Sequence, residues 1–336
     1  MSLRVARVET RADARGRRFE LLRVVDDRRG LRAYLAIEED ARGRTAFGGI
    51  RRRPYTDEES ARREAVALAS GMALKLRFAE LDAVGAKTVV LDHPEASRAD
   101  VYEALADFVG GLEGRYVCGP DVGTGEDDLD RMRSRTRHVN DVANRPGLAT
   151  ARGVAAALEA ALAFADAARP GRLHVQGLGS VGGSLARILA DGGHRISGED
   201  PDAEAREALA AALGDAWCGE SDVGARVFLP CALGGTIDAA RRERWRGSVI
   251  CGSANDQLAP GIGPDDLAAA EILWVPDFAA NAGAVIEGVL AARGRQAGLP
   301  AALAAIGPRV SDVLEEARRR GMTPWAVAAS RAEDRP

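Results

Sequence analysis

The sequence predicts an α/β protein of two domains, an N-terminal α/β domain and a second domain built on a strand, a glycine turn and a helix. Three observations carry this reading. Apolar, β-branched runs alternate with helical patterns along most of the chain. Three glycines spaced GxGxxG (Gly177, Gly179, Gly182) follow the apolar Leu173 and Val175 and precede a helical pattern with Val181, Leu185, Ile188 and Leu189 on one side. At 336 residues the chain exceeds what one core usually organises. The predicted domains are 1–140 and 141–308, with closing helices over 309–336 returning to the first.

In order along the chain, residues 19–38 hold two short apolar runs around Asp26-Asp27-Arg28-Arg29-Gly30, the pattern of a hairpin. AFGGIRRRPY (46–55) brings a glycine pair, Gly48 and Gly49, where backbone must bend or come close to something. Thr56, as a capping residue before Asp57-Glu58-Glu59, opens a long helix with Ala61, Ala65, Leu68, Met72 and Leu76 on its apolar side and Lys75 at the margin. KTVVLDHP (87–94) is a strand, followed by a helix over 98–112, a short strand RYVC, and a loop carrying Asp121 into another helix. An alanine-rich helix (149–168) leads to the glycine unit. Its later strands are 226–231, 248–253 and 271–276, whose carboxyl edges are where open α/β sheets bind ligands.

Composition narrows the class. Hydrophobic residues make up 46% and charged residues 29%, a globular balance, and a net charge of −4 gives no basic field for nucleic acid. Arginines cluster at 11–18, 51–53 and 318–320 beside acidic residues, as solvated faces do. Cys118, Cys218, Cys231 and Cys251 lack metal-binding or redox spacing and read as reduced thiols of a cytoplasmic protein. The four histidines are equally scattered, so no metal is expected. The N-terminus lacks the apolar core of a signal peptide, and no window is expected to span a membrane.

The glycine turn has a chemical reading. Gly177 permits the sharp turn, Gly179 leaves room for a diphosphate, and Gly182 lets helix approach strand, so that a pyrophosphate meets the helix N-terminus at Ser180 and Val181. Asp200, 23 residues beyond Gly177, stands near the offset of a carboxylate that accepts from the ribose hydroxyls. Glu199 and Asp202 beside it would repel a 2′-phosphate, which favours NAD over NADP. The competing reading is a glycine turn that binds nothing.

Lys75 and Lys87 are the only two lysines among 46 basic residues. Where every other cation is a guanidinium, the two ammonium groups point to a need for a titratable one. Taken singly, Lys75 also reads as a snorkelling surface lysine, Lys87 as a solvated strand end and Asp121 as a helix cap.

GGIRRRPY, GMALK, VGAKTVV, GRYVCGPDVGT, TARGV, QGLGSVGG, PCALGG, GSANDQL and NAGAVI stand in order between Gly48 and Ile286, within a likeness that runs from about Phe19 to Arg331. This resembles the glutamate, leucine, valine and phenylalanine dehydrogenase superfamily, nearest the branch acting on apolar amino acids. The resemblance implies a Rossmann-type second domain and an oligomer. It also implies oxidative deamination of an L-amino acid to the 2-oxo acid and ammonia, with NAD, in a cleft between the domains. Lys87 and Asp121 match the catalytic lysine and aspartate, and Lys75 the lysine that binds the substrate carboxylate, its charge helping to lower the pKa of Lys87. Gly48, Gly49, Phe47, Met72, Gly119 and Asn255 fall on the substrate side. Thr150, Cys231, Ala232, Asn255 and Asn281 fall with the glycine turn on the cofactor side. Phe47 implies an apolar side chain, and Gly119 leaves room for a ring, as in phenylalanine-type members. Departures are Val84 and Ala86 before Lys87, a shortened segment between Asp141 and Thr150, and Ala284 in NAGAVI. They leave open an alternative, a silent NAD-binding homologue acting as a binding or assembly subunit.

Overall fold

A computed structural model describes residues 3–39, 43–140, 143–166 and 171–334. The chain divides into two compact units, residues 1–144 with 288–296, and residues 145–287 with 297–336.

The first unit contains β1 (Leu3–Ala12), β2 (Arg18–Asp26), β3 (Leu31–Glu38), β4 (Ala46–Arg53), α1 (Glu58–Phe78), β5 (Val84–Leu91), α2 (Arg98–Gly111), β6 (Tyr116–Pro120) and α3 (Glu126–Arg133). Its strands form one mixed sheet in the order β1-β2-β3-β5-β4-β6, with β4 parallel to both β5 and β6. The two faces of that sheet decide the site. Because side chains alternate along a strand, Val84, Ala86, Ala46, Ile50, Tyr116 and Cys118 enter the core under α2. Gly85, Lys87, Phe47, Gly49, Arg51, Val117, Gly119 and Asp121 belong to the opposite face, where α1 packs over β3 and β5. The seat of α1 is tight: a Cβ on Gly85 would stand 2.5 Å from both the Ala69 carbonyl oxygen and the Ala73 nitrogen. The α1 N-cap is Asp57, whose carboxylate accepts from Ser60 N–H at 2.6 Å, one residue later than the Thr56 expected. The sequence pattern missed β1, an edge strand of alternating charge that pairs with β2 across an irregularity between Arg7 and Glu9.

The second unit contains α4 (Pro146–Phe164), β7 (Arg172–Gln176), α5 (Ser180–Asp191), β8 (Arg195–Glu199), α6 (Ala203–Leu213), β9 (Ala225–Pro230), α7 (Ala239–Arg244), β10 (Val249–Ile250), α8 (Pro264–Ala269), β11 (Leu273–Trp274), α9 (Asp277–Ala280), most of the first half of α10 (Gly283–Ala292), α11 (Leu299–Ala304), α12 (Ile306–Arg320) and α13 (Pro324–Glu333). Five parallel strands run in the order β11-β10-β9-β7-β8. β8 has one strongly apolar residue, yet Ile196, Ser197 and Gly198 are all buried.

Two expectations are corrected here. The closing helices belong to the second unit, where α12 packs on α4, the Arg318 guanidinium lies 4.9 Å from the Phe164 ring centroid, and α13 is tied to α12 by Arg331 and Glu316. An apolar stripe marks burial without naming the surface that covers it. The other correction is α4, which is long and apolar enough to cross a membrane, with a mean hydropathy of 1.3. Its alanines, 61% of that window being buried, make it a core helix. It ends at Phe164, short of the expected 168, and Ala167 and Ala168 lie outside the described residues.

Candidate active site

In the first unit, Lys87 Nζ lies 2.9 Å from Asp121 Oδ2, and the lysine is only 6% exposed. Three local features hold the pair. β5 carries Lys87 on the face opposite the α2 core, β6 delivers Asp121 just past its last residue, and β4 runs between them. At their closest, β4 has no side chain: a Cβ on Gly49 would stand 3.0 Å from both Lys87 Nζ and Asp121 Cβ, and one on Gly48 would stand 1.8 Å from the Ala86 carbonyl oxygen. Asp121 is therefore not a helix cap; the cap of α3 is Gly125.

Electrostatics oppose one another at Lys87. Burial disfavours the ammonium and Asp121 favours it, with Arg51 adding a like charge, and the result is a pKa below the ordinary lysine value. Asp121 is held below the usual carboxylate range because Lys87 and Arg51 together outweigh its burial. A like charge beside Lys87 therefore comes from Arg51, a residue the sequence reading did not single out. Lys75 itself is half-buried in the last turn of α1, one turn after Met72, also half-buried.

A cavity of about 620 Å³ opens on the same face of the sheet. Phe47 and Val117 form part of its wall, with Gly288 and Ala291 of α10 and the polar His138 and Asn140. Gly119 faces Asn140: a Cβ there would be 3.6 Å from that of Asn140.

In the second unit the glycine turn closes as its spacing requires. Gly177 has φ +87°, and a Cβ on Gly182 would stand 1.8 Å from the Gly177 carbonyl oxygen. A Cβ on Gly179, the N-cap of α5, would meet nothing within 4 Å. A cavity of about 750 Å³ lies against Gly177, Gly179, Asp200, Cys231, Ala232 and Thr236. Ser180 and Val181 begin α5 beside it. The Asp200 carboxylate accepts from Leu178 N–H (2.7 Å) and Asp202 N–H (2.9 Å), buttressing the turn while keeping lone pairs for a further donor. Elsewhere in this unit, Asn281 Nδ2 donates to the Ser253 carbonyl (3.0 Å) and to Asn255 Oδ1 (2.9 Å), and Thr150 Oγ1 accepts from Ala284 N–H (3.2 Å). Asn281 Oδ1 is buried without a hydrogen-bond partner among the described residues. A buried acceptor of this kind calls for a donor from outside the protein. With the open cradle at Gly179, it makes the second unit fit a dinucleotide. Among the described residues no group of three or more His, Cys, Asp or Glu side chains is placed to hold a metal, and all four cysteines are free thiols.

The profile of the Glu/Leu/Phe/Val dehydrogenase dimerisation domain matches residues 18–138. Leucine dehydrogenase from Thermoactinomyces intermedius is 32% identical over 331 residues, covering 94% of this chain and 90% of that one. The chain belongs to the Glu/Leu/Phe/Val dehydrogenase family. Phenylalanine dehydrogenase from Caldalkalibacillus thermarum is 33% identical over 280 residues, 78% of this chain and 75% of that one. The crystal structure of L-tryptophan dehydrogenase from Nostoc punctiforme superposes with a TM-score of 0.80 at 28% identity, covering 94% of each chain. As a member of this family the protein is an amino acid dehydrogenase, an oxidoreductase.

The departures from the family pattern take on a different meaning in three dimensions. Val84 and Ala86 point into the α2 core, away from the face of Lys87, so they add no side chain toward the pair. Ala284 is likewise accommodated: the close approach in NAGAVI is at Gly283, where a Cβ would stand 2.1 Å from the Ala149 carbonyl oxygen. Of the shortened segment, Asp141 and Val142 lie outside the described residues.

Sequence reasoning missed Arg51 and Glu64. Arg51 Nε lies 2.8 Å from Asp121 Oδ2, and Arg51 Nη1 lies 2.8 Å from Glu64 Oε1 on α1. The signal was available in the period of two along β4, since Arg51 stands two residues after Gly49 and so shares its face. Within an arginine-rich run it read as a solvated charge.

Proposed function

We propose that this amino acid dehydrogenase deaminates a bulky or aromatic L-amino acid reversibly to the 2-oxo acid and ammonia, using NAD and acting as a homo-oligomer in the cytoplasm. The observation that carries the reading is the buried Lys87–Asp121 pair at 2.9 Å beside the side-chain-free Gly49. A lysine acts as a base near neutral pH only when its pKa is pulled down, and burial with a neighbouring guanidinium does that here.

Lys75 would bind the substrate carboxylate by charge, with the Gly48 and Gly49 backbone alongside. Asp121, kept ionised, would take a proton from the substrate ammonium and return one to the leaving nitrogen. Lys87 would draw a proton from the water that adds to the iminium carbon, then move protons on the carbinolamine as it collapses. When bound, NAD supplies the hydride acceptor. Residues that would hold it are Gly177, Gly179, Ser180, Val181 and Gly182 at the pyrophosphate, Asp200 at the ribose, Cys231 and Ala232 along the cavity, and Thr150, Asn255 and Asn281 at the nicotinamide. The unpartnered Asn281 oxygen suits a carboxamide N–H.

Phe47, Val117, Gly288 and Ala291 in the wall of the 620 Å³ cavity, with Gly119 on the same face of the sheet, support a large apolar side chain. The test is a panel of aliphatic and aromatic L-amino acids with NAD at alkaline pH, read by NADH absorbance. Turnover highest with leucine, phenylalanine or tryptophan is expected, and silence across the panel would overturn the reading. The alternative of a silent subunit finds no support in relatives that are themselves named dehydrogenases.

The carboxylates at 199, 200 and 202 carry the cofactor preference. A 2′-phosphate beside Asp200 would meet like charge, a cost of several kcal/mol, so kcat/KM with NAD should exceed that with NADP by roughly a hundredfold or more. Asp200→Ser should narrow the ratio at least tenfold, which paired assays with the two cofactors would measure. An unchanged ratio would move the source of selectivity elsewhere.

A further inference from the structure

Asp121 serves two cations at once. Lys87 Nζ and Arg51 Nε lie 2.9 Å and 2.8 Å from the same oxygen, Oδ2, and Arg51 Nη2 reaches Oδ1 at 3.4 Å. The Arg51 side chain is 18% exposed and is anchored from its other end by Glu64 on α1, which Arg53 also pairs. We propose that Arg51 is the positioning residue of the proton-transfer site, the fixed counter-cation that keeps Asp121 ionised and in place each time the Lys87 ammonium gives up its proton. This deepens the proposed function and rests on Lys87 being the base.

The physical problem is the ion pair itself. A buried carboxylate 2.9 Å from an ammonium resists deprotonation of that ammonium, because proton loss would strand the carboxylate in a poorly hydrated place. A second cation on the same oxygen changes both sides of the exchange. It shares the attraction that holds the lysine proton, and it remains after the proton has gone, since a guanidinium does not titrate in this range. The local count agrees: Lys87, Arg51 and Arg53 against Asp121 and Glu64 is three cations and two carboxylates, a net charge of +1 that becomes zero when Lys87 is neutral. The charged groups that act on Lys87 are Asp121, Arg51 and Glu64; Ala36 of β3 is paired beside Lys87, Lys75 lies in the last turn of α1, and the Tyr116 hydroxyl is bonded to Thr88 on the other face of the sheet.

The chain offers a direct readout, because it holds only two lysines. In protein labelled with ¹³Cε-lysine, two methylene signals are expected, and Lys75→Arg assigns them. Titrated in the intact protein, the Lys87 signal should have its midpoint raised by about one pH unit in Arg51→Met, as loss of a like charge at this range predicts. Arg51→Lys, which keeps a cation beside Asp121 and adds a third signal recognised by its absence from the wild-type spectrum, should hold the Lys87 midpoint near the wild-type value. In steady state the alkaline-rising limb of kcat/KM should follow the same order, and kcat near neutral pH should fall about tenfold in Arg51→Met, with NAD binding unchanged by fluorescence titration. An unmoved Lys87 midpoint in Arg51→Met would overturn the proposal, as would Arg51→Lys behaving like Arg51→Met. If Arg51→Met fails to fold, the Arg51→Lys comparison decides: a midpoint within a few tenths of wild type with matching activity supports the role, and lost activity at an unmoved midpoint overturns it. Wild-type protein that transfers no hydride from any amino acid would fault the proposed function instead, while the titration would still report on Arg51.

Discussion

Lys87→Ala is expected to lower kcat by a factor on the order of 10³, the usual range for removing a positioned proton-transfer group, while leaving NAD affinity at the wild-type value. The variant should also fold, and for a specific reason. Removing one partner of a buried ion pair is ordinarily damaging because the other is left uncompensated, but here Asp121 keeps Arg51 at 2.8 Å. Stopped-flow and steady-state NADH absorbance with the best substrate, fluorescence titration with NAD and thermal denaturation together check the result. The pH dependence provides a sign. Lys87 has a pKa lowered by burial and must be neutral to act as base, so wild-type kcat/KM should rise with pH through that lowered value and level off above it. In Lys87→Ala that limb should vanish. Loss of NAD affinity in step with kcat, or a surviving limb, would remove Lys87 from its assigned role.

Gly182→Ala is expected to be the most damaging single methyl in the second unit. The added carbon would stand 1.8 Å from the Gly177 carbonyl oxygen and 3.1 Å from Cys231 Cβ, so the turn must open. Overpacking of this kind costs about 1–3 kcal/mol of stability, and NAD affinity should fall roughly a hundredfold, about 2.8 kcal/mol. Gly179→Ala makes the matched control. Its methyl would meet nothing within 4 Å, so stability should stay at the wild-type value while NAD affinity still drops, because the methyl would occupy the space a diphosphate needs. Thermal denaturation separates the two variants, and titration with NAD should find both impaired. Two variants equally destabilised, or Gly179→Ala binding NAD normally, would contradict this account of the turn.

What could be read in advance followed from local physics. The strand, glycine turn and helix are written within one short stretch, and the clearance that only glycine satisfies reappears at Gly182, where a Cβ would stand 1.8 Å from the Gly177 carbonyl oxygen. Lys87 and Asp121 came together because parallel strands fix which side chains share a face. What escaped was long-range. β1 has no fully buried residue, so no apolar alternation announced it, and its place comes from pairing with β2. Arg51 looked like one charge in a run of three, and only β4 running beside Asp121 turns it inward. The covering partner of α12 is likewise a matter of topology, and its stripe was silent about it.

The seat of α1 on Gly85 has a consequence for tolerance to change. Ala69 and Ala73 of the helix rest on bare backbone two residues before Lys87, so the helix that carries Lys75 and the strand that carries Lys87 are seated directly on one another. A single added carbon at position 85 would have to push helix and strand apart, and Lys75 and Lys87 with them.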